Sequence, residues 1–262
     1  MKNPAFRLPV PLSSAMLLLG ILACNALVPS QPASTPAPPV PTVTKPPVSA
    51  QVTLVSQALN ETNQNPPFRI NAQIPRLTGS DDPRVAAFNQ RLDDLVKKEV
   101  DTWRGSFQQV TYVSNGSSLD ATYTLISQLG DLWSLKFDFN FYSDGAAHPG
   151  LYSITLNYDL GQGRELALGD LFLPNSNYLD VIANYCIGEL GRQPGFEGPF
   201  AEGARPTTEN YRNWNITSDG LLITFDTYQV APGASGPLHV LVPYAQMQEV
   251  IDPHGPLAGI VK

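Results

Sequence analysis

The chain has 262 residues, of which 42% are hydrophobic and 15% charged, with a formal net charge of -7. The acidic balance argues against nucleic-acid binding, which needs a basic face to replace counterions around phosphates. Only two cysteines are present, Cys24 and Cys186.

In chain order, Lys2 and Arg7 are the only charges before Lys45, and Met16 to Ala23 is an unbroken run of small and apolar residues. That run suits the h-region of a signal peptide and is far short of the roughly 20 residues needed to span a bilayer. It ends in Leu19-Gly20-Ile21-Leu22-Ala23-Cys24, which resembles the lipobox of bacterial lipoproteins. The resemblance implies a signal peptide over 1–23, cleavage before Cys24, and a lipid on its thiol. The mature chain would carry 14 basic against 23 acidic residues. With no polybasic segment to bind anionic lipid, the acyl chains would do the anchoring.

If Cys24 carries lipid, Cys186 has no disulfide partner, and its neighbours Tyr185, Ile187 and Leu190 mark it as a small buried apolar residue. Between Pro29 and Pro47, eight of nineteen residues are proline. Proline fixes φ and lacks a donor, so 24–51 reads as a linker of polyproline type. A globular domain is expected over 52–262, in sequence-level halves of about 52–142 and 143–262.

Val52–Leu59 and Phe68–Leu77 read as strands. Asp82-Pro83 supplies an N-cap followed by proline at the first helical position. Val85, Phe88, Leu92, Leu95, Val96, Val100, Trp103 and Phe107 then recur at helical spacing, with Asp94 and Lys98 as an i,i+4 pair. After Asn115-Gly116 the period becomes two. From Trp133 to Phe141 every odd position is apolar and every even one polar, so one strand face should be buried and the other wet. Ala121–Leu129 and Tyr152–Tyr158 complete an expected antiparallel meander.

Asn175 to Asn177 can cap a second helix over Leu179–Leu190. Asn213–Ile216 and Leu221–Val230 read as a hairpin, Leu238–Val242 as a further strand, and Tyr244–Ile251 as a short closing helix. Strands and helices are segregated, which predicts an α+β fold: antiparallel sheet packed against one long and one or two shorter helices.

No nucleophile elbow, zinc-protease helix, phosphate-binding loop or paired-cysteine motif occurs, and the spacing of His148, His239 and His254 matches no metal motif. No cofactor and no metal are expected. The connection Ser143-Asp144-Gly145-Ala146-Ala147-His148-Pro149-Gly150 is longer than a plain hairpin needs. It reads either as a recognition loop with Asp144 and His148 at its tip, or as a tight turn whose histidine bonds a backbone carbonyl.

Gly145-Ala146-Ala147-His148-Pro149, Asn157-Tyr158-Asp159-Leu160, Gly163-Arg164-Glu165-Leu166 and Leu168-Gly169-Asp170-Leu171-Phe172 together resemble the ectodomain of RsiV-type anti-sigma factors. Trp214-Asn215-Ile216-Thr217, Asp219-Gly220-Leu221, Phe225-Asp226-Thr227-Tyr228 and Val242-Pro243-Tyr244 are similar to its closing portion. The usual second glycine of the loop is Ala146 here. The resemblance implies an extracytoplasmic α+β module, known as paired domains of unknown function, that occurs in lipoproteins, peptidoglycan deacetylases and a lysozyme-sensing receptor. The expected function is a membrane-anchored binding module at the bacterial cell envelope, for a lysozyme-like cationic protein or a peptidoglycan ligand. Its candidate binding residues are Ser143, Asp144, Gly145, His148, Pro149, Asp226 and Tyr228. The alternatives are an envelope hydrolase using His148, Asp144 and Asp226, or a structural envelope protein without a soluble ligand. Convergence of those three side chains in one pocket would favour the hydrolase.

Lipidation has a direct test. The wild-type chain should incorporate labelled fatty acid and partition with membranes, and Cys24→Ser should do neither; equal labelling of the two would end the lipoprotein reading.

Overall fold

The computed structural model describes residues 47–111, 114–193, 196 and 198–261, so the signal segment, Cys24 and the proline-rich stretch to residue 46 lie outside the described residues. The chain enters through a 3-10 turn, Val48–Gln51, inside the span read as linker. Val48 and Ser49 are buried there, and their N–H groups donate to the Asp131 carboxylate at 3.2 and 2.8 Å.

Strands β1 (Thr53–Gln64) and β2 (Pro67–Thr78) form a hairpin, followed by helix α1 (Pro83–Gln108). Asp82 caps α1 by accepting the Arg84 N–H at 2.9 Å, as its position before Pro83 predicts. Along the helix, the pair found is Asp93–Lys97 at 3.1 Å, while Asp94 instead accepts from Gln90. Helix α1 carries the chain back to β3 (Ser117–Leu129), which runs parallel to β2 over Phe68–Ala72 and Ser117–Ala121. Strands β4 (Leu132–Tyr142) and β5 (Gly150–Asp159) complete the antiparallel meander, and β6 (Arg164–Glu165) ends a six-stranded sheet. The architecture is α+β, with one parallel joint because a helix rather than a turn links β2 to β3. Beyond Ala72 the two strands part, and Asn89 fills the opening. Its side chain accepts the Leu77 N–H at 2.7 Å and donates to the Leu77 carbonyl at 2.9 Å, as a neighbouring strand would.

Helix α2 (Tyr178–Leu190) precedes a second sheet of β7 (Trp214–Ile216), β8 (Gly220–Phe225) and β9 (Leu238–Pro243). Strand β8 stops at Phe225, short of the expected Val230, because Asp226–Gln229 close a turn with a 2.9 Å backbone bond. The expected closing helix shrinks to the 3-10 turn Tyr244–Gln246. A further turn over 247–250 follows, and backbone bonds from Leu173 to Val250 and from Asp252 to Leu171, with a bridge between Phe172 and Ile251, fasten its end to the 171–173 segment.

Two cores result. Phe88, Leu92 and Val96 of α1 meet Ile70, Leu119, Trp133, Leu135, Phe137 and Phe139 of the large sheet. The second core gathers Ile182, Cys186, Tyr211, Ile216, Ile223, Phe225 and Val242, and Leu132 joins it from β4. The expected inward row is therefore found, with Phe141 and Trp103 only partly covered at its end.

The expectation of a wet opposite face fails. Ser134 is buried and Lys136 largely covered, because the second sheet lies across that face. Burial pushes the Cys186 thiol up to about 12, as for an inert core cysteine. Among the described residues no helix is long and apolar enough to cross a membrane.

Phe137→Ala should cost about 3–5 kcal/mol through lost burial and the cavity left behind. Lys136→Ala, which loses one ion pair to Asp138, should cost about 1 kcal/mol or less. Denaturant titration of the two variants measures the gap, and equal midpoints would refute the assignment of faces.

Candidate functional site

Between the two sheets the polar face of the meander serves as a hydrogen-bonding surface. The Asn157 side chain donates to the Trp214 carbonyl at 2.7 Å and accepts from Ser134 Oγ at 2.6 Å. Ser134 Oγ accepts in turn from Asn215 Nδ2 at 2.9 Å and from the Ile216 N–H at 3.0 Å. Ser127 Oγ donates to the Ile216 carbonyl at 2.6 Å, and Thr155 Oγ1 accepts the Trp214 N–H at 3.0 Å.

Asp226 extends this joint. Its carboxylate accepts the Ser153 N–H at 2.9 Å, Arg212 at 2.7 Å and Asn213 Nδ2 at 3.2 Å. Those partners tie the end of β8 to β5. Asp226 is thus a buried clamp rather than a group offered to a ligand.

Asp144 is also taken up internally. Its carboxylate accepts backbone N–H groups of Ser114, Asn115 and Gly116, and its own N–H donates to Ser117 Oγ at 3.0 Å. The Ser114 N–H leads these bonds in holding the carboxyl below its ordinary value, against the opposing effect of burial. Ser143 closes the tip by accepting the Ala146 N–H at 2.9 Å, and Gly145 takes a φ of 88°. His148 is exposed, with Nδ1 2.9 Å from the Pro149 carbonyl, as the tight-turn reading predicts. Among the described residues, no hydrogen bond or ion pair joins His148 to Asp144 or Asp226.

What the fold does bring together is a cleft of about 570 Å³. One wall is Phe141 of β4 with His148, Pro149, Gly150, Leu151 and Tyr152; the other is Thr227, Tyr228, Gly233, Gly236 and Pro237 of the β8–β9 connection. Among the described residues, its lining carries no carboxylate, ammonium or guanidinium group. Of the expected binding residues, His148, Pro149 and Tyr228 share this cleft, whereas Ser143, Asp144, Gly145 and Asp226 do not line it.

Aromatic packing fixes the walls. Phe141 stacks on Trp103 with ring centroids 3.9 Å apart, and a Cβ on Gly150 would come within 2.2 Å of the Phe141 ring. Trp103 Nε1 donates to Tyr152 Oη at 2.9 Å, which donates to Glu99 at 2.7 Å. Burial, reinforced by Glu99, raises the Tyr152 phenol well above its ordinary value, so it remains a donor. Opposite, Tyr228 has a left-handed backbone (φ 69°) and is 58% exposed. A Cβ on Gly233 would meet the Tyr228 ring at 2.1 Å, so that glycine is what lets the ring lie there.

The alternation of β4 and β5 marked Phe141 and Tyr152 only as strand residues. Of their partners in the β8–β9 connection, Thr227 and Tyr228 belonged to a quoted motif, while Gly233, Gly236 and Pro237 had one visible signal, the run Pro232-Gly233-Ala234-Ser235-Gly236-Pro237. Among the described residues, no group of three or more His, Cys, Asp or Glu side chains could hold a metal ion.

Residues 169–245, spanning α2 and the second sheet, match the family described as "Protein of unknown function (DUF3298)". The peptidoglycan-N-acetylmuramic acid deacetylase PdaC of Bacillus subtilis (strain 168) is 24% identical over 172 residues, 62% of this chain and 37% of that protein. The immunogenic protein MPT64 of Mycobacterium tuberculosis is 26% identical over 111 residues, 42% of this chain and 49% of that one. The chain thus spans between a third and a half of the length of the curated relatives it matches. A DUF3298-family crystal structure from Bacteroides fragilis superposes with a TM-score of 0.64 at 18% identity, covering 80% of this chain and 96% of that one. A second, from Pseudomonas aeruginosa PAO1, gives 0.55 at 14% identity, with coverages of 77% and 95%. Both likenesses establish the fold.

Asp144 makes a pH-dependent contribution whose sign follows from its lowered pKa. It is fully present above the ordinary carboxylate value of 3.8 and lost as pH falls through the lower folded value. Melting scans should show wild type above Asp144→Asn at neutral pH, with the gap closing in that acid window; a pH-independent gap would refute the carboxylate's role.

Proposed function

We propose that this protein is an extracytoplasmic binding module, held at the cell membrane by a lipid on Cys24, whose aromatic cleft receives an uncharged glycan strand of the cell wall. The observation that carries this reading is the cleft itself: aromatic and proline walls, no formally charged side chain among its described lining residues, and the largely exposed Tyr228 ring on one rim. Sugar rings present apolar C–H faces that pack on aromatic surfaces, while Tyr228 Oη and the His148 ring can bond their hydroxyls. The Bacillus subtilis relative, a peptidoglycan-N-acetylmuramic acid deacetylase, supports the ligand class. The motif likeness to RsiV-type ectodomains, with the lipobox-like run, supports the location.

A hydrolase built on His148, Asp144 and Asp226 is disfavoured, since both carboxylates are committed to structural bonds. Capture of a cationic lysozyme-like protein rests on the RsiV-type resemblance and on the acidic balance of the mature chain, 14 basic against 23 acidic residues. A cleft without carboxylates favours the glycan.

Calorimetry with soluble peptidoglycan fragments, and with lysozyme as the rival ligand, tests this. Tyr228→Ala should weaken fragment binding roughly tenfold, about 1.4 kcal/mol, without lowering the melting temperature. Fragment affinity unchanged in Tyr228→Ala would remove the cleft from the reading. Binding of lysozyme alone would replace the glycan with the cationic partner.

A further inference from the structure

Among the described residues the two sheets have four outer edges, and three are defended. Strand β6 is two residues long and both are charged and paired, Arg91–Glu165 and Arg164–Asp170 each at 2.6 Å. The backbone of β7 is satisfied by side chains of the large sheet. Strand β9 is six residues long and ends in Pro243. Short length, charge, proline and coverage are the usual ways in which folded proteins prevent edge-to-edge pairing.

Strand β1 has none of them. It runs for twelve residues in unbroken register with β2, without proline, lysine or bulge. Its single ionisable side chain, Glu61, is neutralised by Arg104 of α1 at 2.7 Å, and Val55 is 40% exposed. Among the described residues, no strand pairs with its outer side.

We propose that β1 is a pairing edge on which a second copy of this chain docks antiparallel, extending the large sheet across a twofold axis. Such an axis is perpendicular to the sheet and preserves its faces, so paired residues must point the same way. Pairing about Leu59 sets residues an even number of positions apart opposite one another over residues 54–64. It sets Leu59 against Leu59, Gln57 against Glu61, Val55 against Asn63 and Ala58 against Asn60. No like charges meet. Copies that each carry -7 repel in general, so a neutral edge is where they can approach. An eleven-residue overlap is about 37 Å long. It would bury on the order of 1,000 Å², the lower bound for a specific interface, and backbone hydrogen bonds along the strand add to it. An isologous contact closes at two copies, whereas an unguarded edge otherwise invites open-ended aggregation. This inference is independent of the cleft.

Sedimentation of the full chain over a range of concentrations is the test, with two charge-patterned variants at exposed positions. The wild-type chain should sediment at twice the mass of a single copy. Ala58→Asp with Asn60→Asp sets carboxylates opposite each other twice across the axis and should give monomers. Ala58→Lys with Asn60→Asp sets opposite charges there and should restore the dimer. Oxidation of a Leu59→Cys chain should yield a cross-linked dimer, which decides the matter if the double-aspartate variant fails to melt cooperatively. A monomeric wild-type chain, a dimer that survives the double aspartate, a charge-swapped variant that stays monomeric, or an absent Leu59→Cys cross-link would each overturn the proposal.

Discussion

The structure depends on how the short strand β7 satisfies its backbone against the face of another sheet. Trp214, Asn215 and Ile216 are buried, so their N–H and C=O groups cannot be left to water. Strand β8 pairs with one side, and Ser127, Ser134, Thr155 and Asn157 reach from the large sheet to the other. Each such group left unpaired would cost about 1–3 kcal/mol. The polar residues of the meander are therefore the docking surface that holds two hydrophobic cores in one register. Among the described residues, one acceptor of this joint, Asn215 Oδ1, is buried without a hydrogen-bond partner. The network bears that cost because Asn215 Nδ2 binds both Ser134 and the Leu135 carbonyl.

That joint places the cleft. Asp226 fastens the end of β8 to Ser153, and the next residues, Thr227 and Tyr228, emerge over Tyr152 and Pro149. The buried carboxylate and the exposed aromatic are consecutive features of one turn, one anchoring and the other presenting. Glycine at 150 and 233 lets rings lie flat on backbone on both walls. The Trp103–Tyr152–Glu99 chain then ties one wall to α1. The cleft walls are thus held by elements packed for other reasons, which preforms the apolar cleft.

The same joint explains the asymmetry of the edges. Covering the meander with the second sheet removed β7 from solvent. Strand β1 lies at the far end of the sheet, beyond β2, and its one charge is turned toward α1. Nothing in the joint protects it. Its openness is a property of topology as much as of composition, since a sequence such as Thr-Leu-Val-Ser-Gln-Ala would read the same in a central strand.

Local rules in the sequence determined much by themselves. Asp82-Pro83 and a 3.6-residue period located α1, and strict alternation located β4 with its inward aromatics, because capping and amphipathicity act within a few residues. Those rules assign a strand two faces without saying what covers either. The alternation that marked Ser134 and Asn157 as polar is the same for a wet face and for a hydrogen-bonded joint; only contact with β7 distinguished them. Asp144 and Asp226 drew attention as carboxylates near a loop tip and in a shared motif, yet tertiary hydrogen bonds made both structural. His148, Pro149 and Tyr228 were recognisable as candidates. Their meeting with Phe141, Tyr152 and Gly233 depended on Asp226 pulling the β8–β9 connection against β5, a contact between residues distant in the chain that no local period encodes.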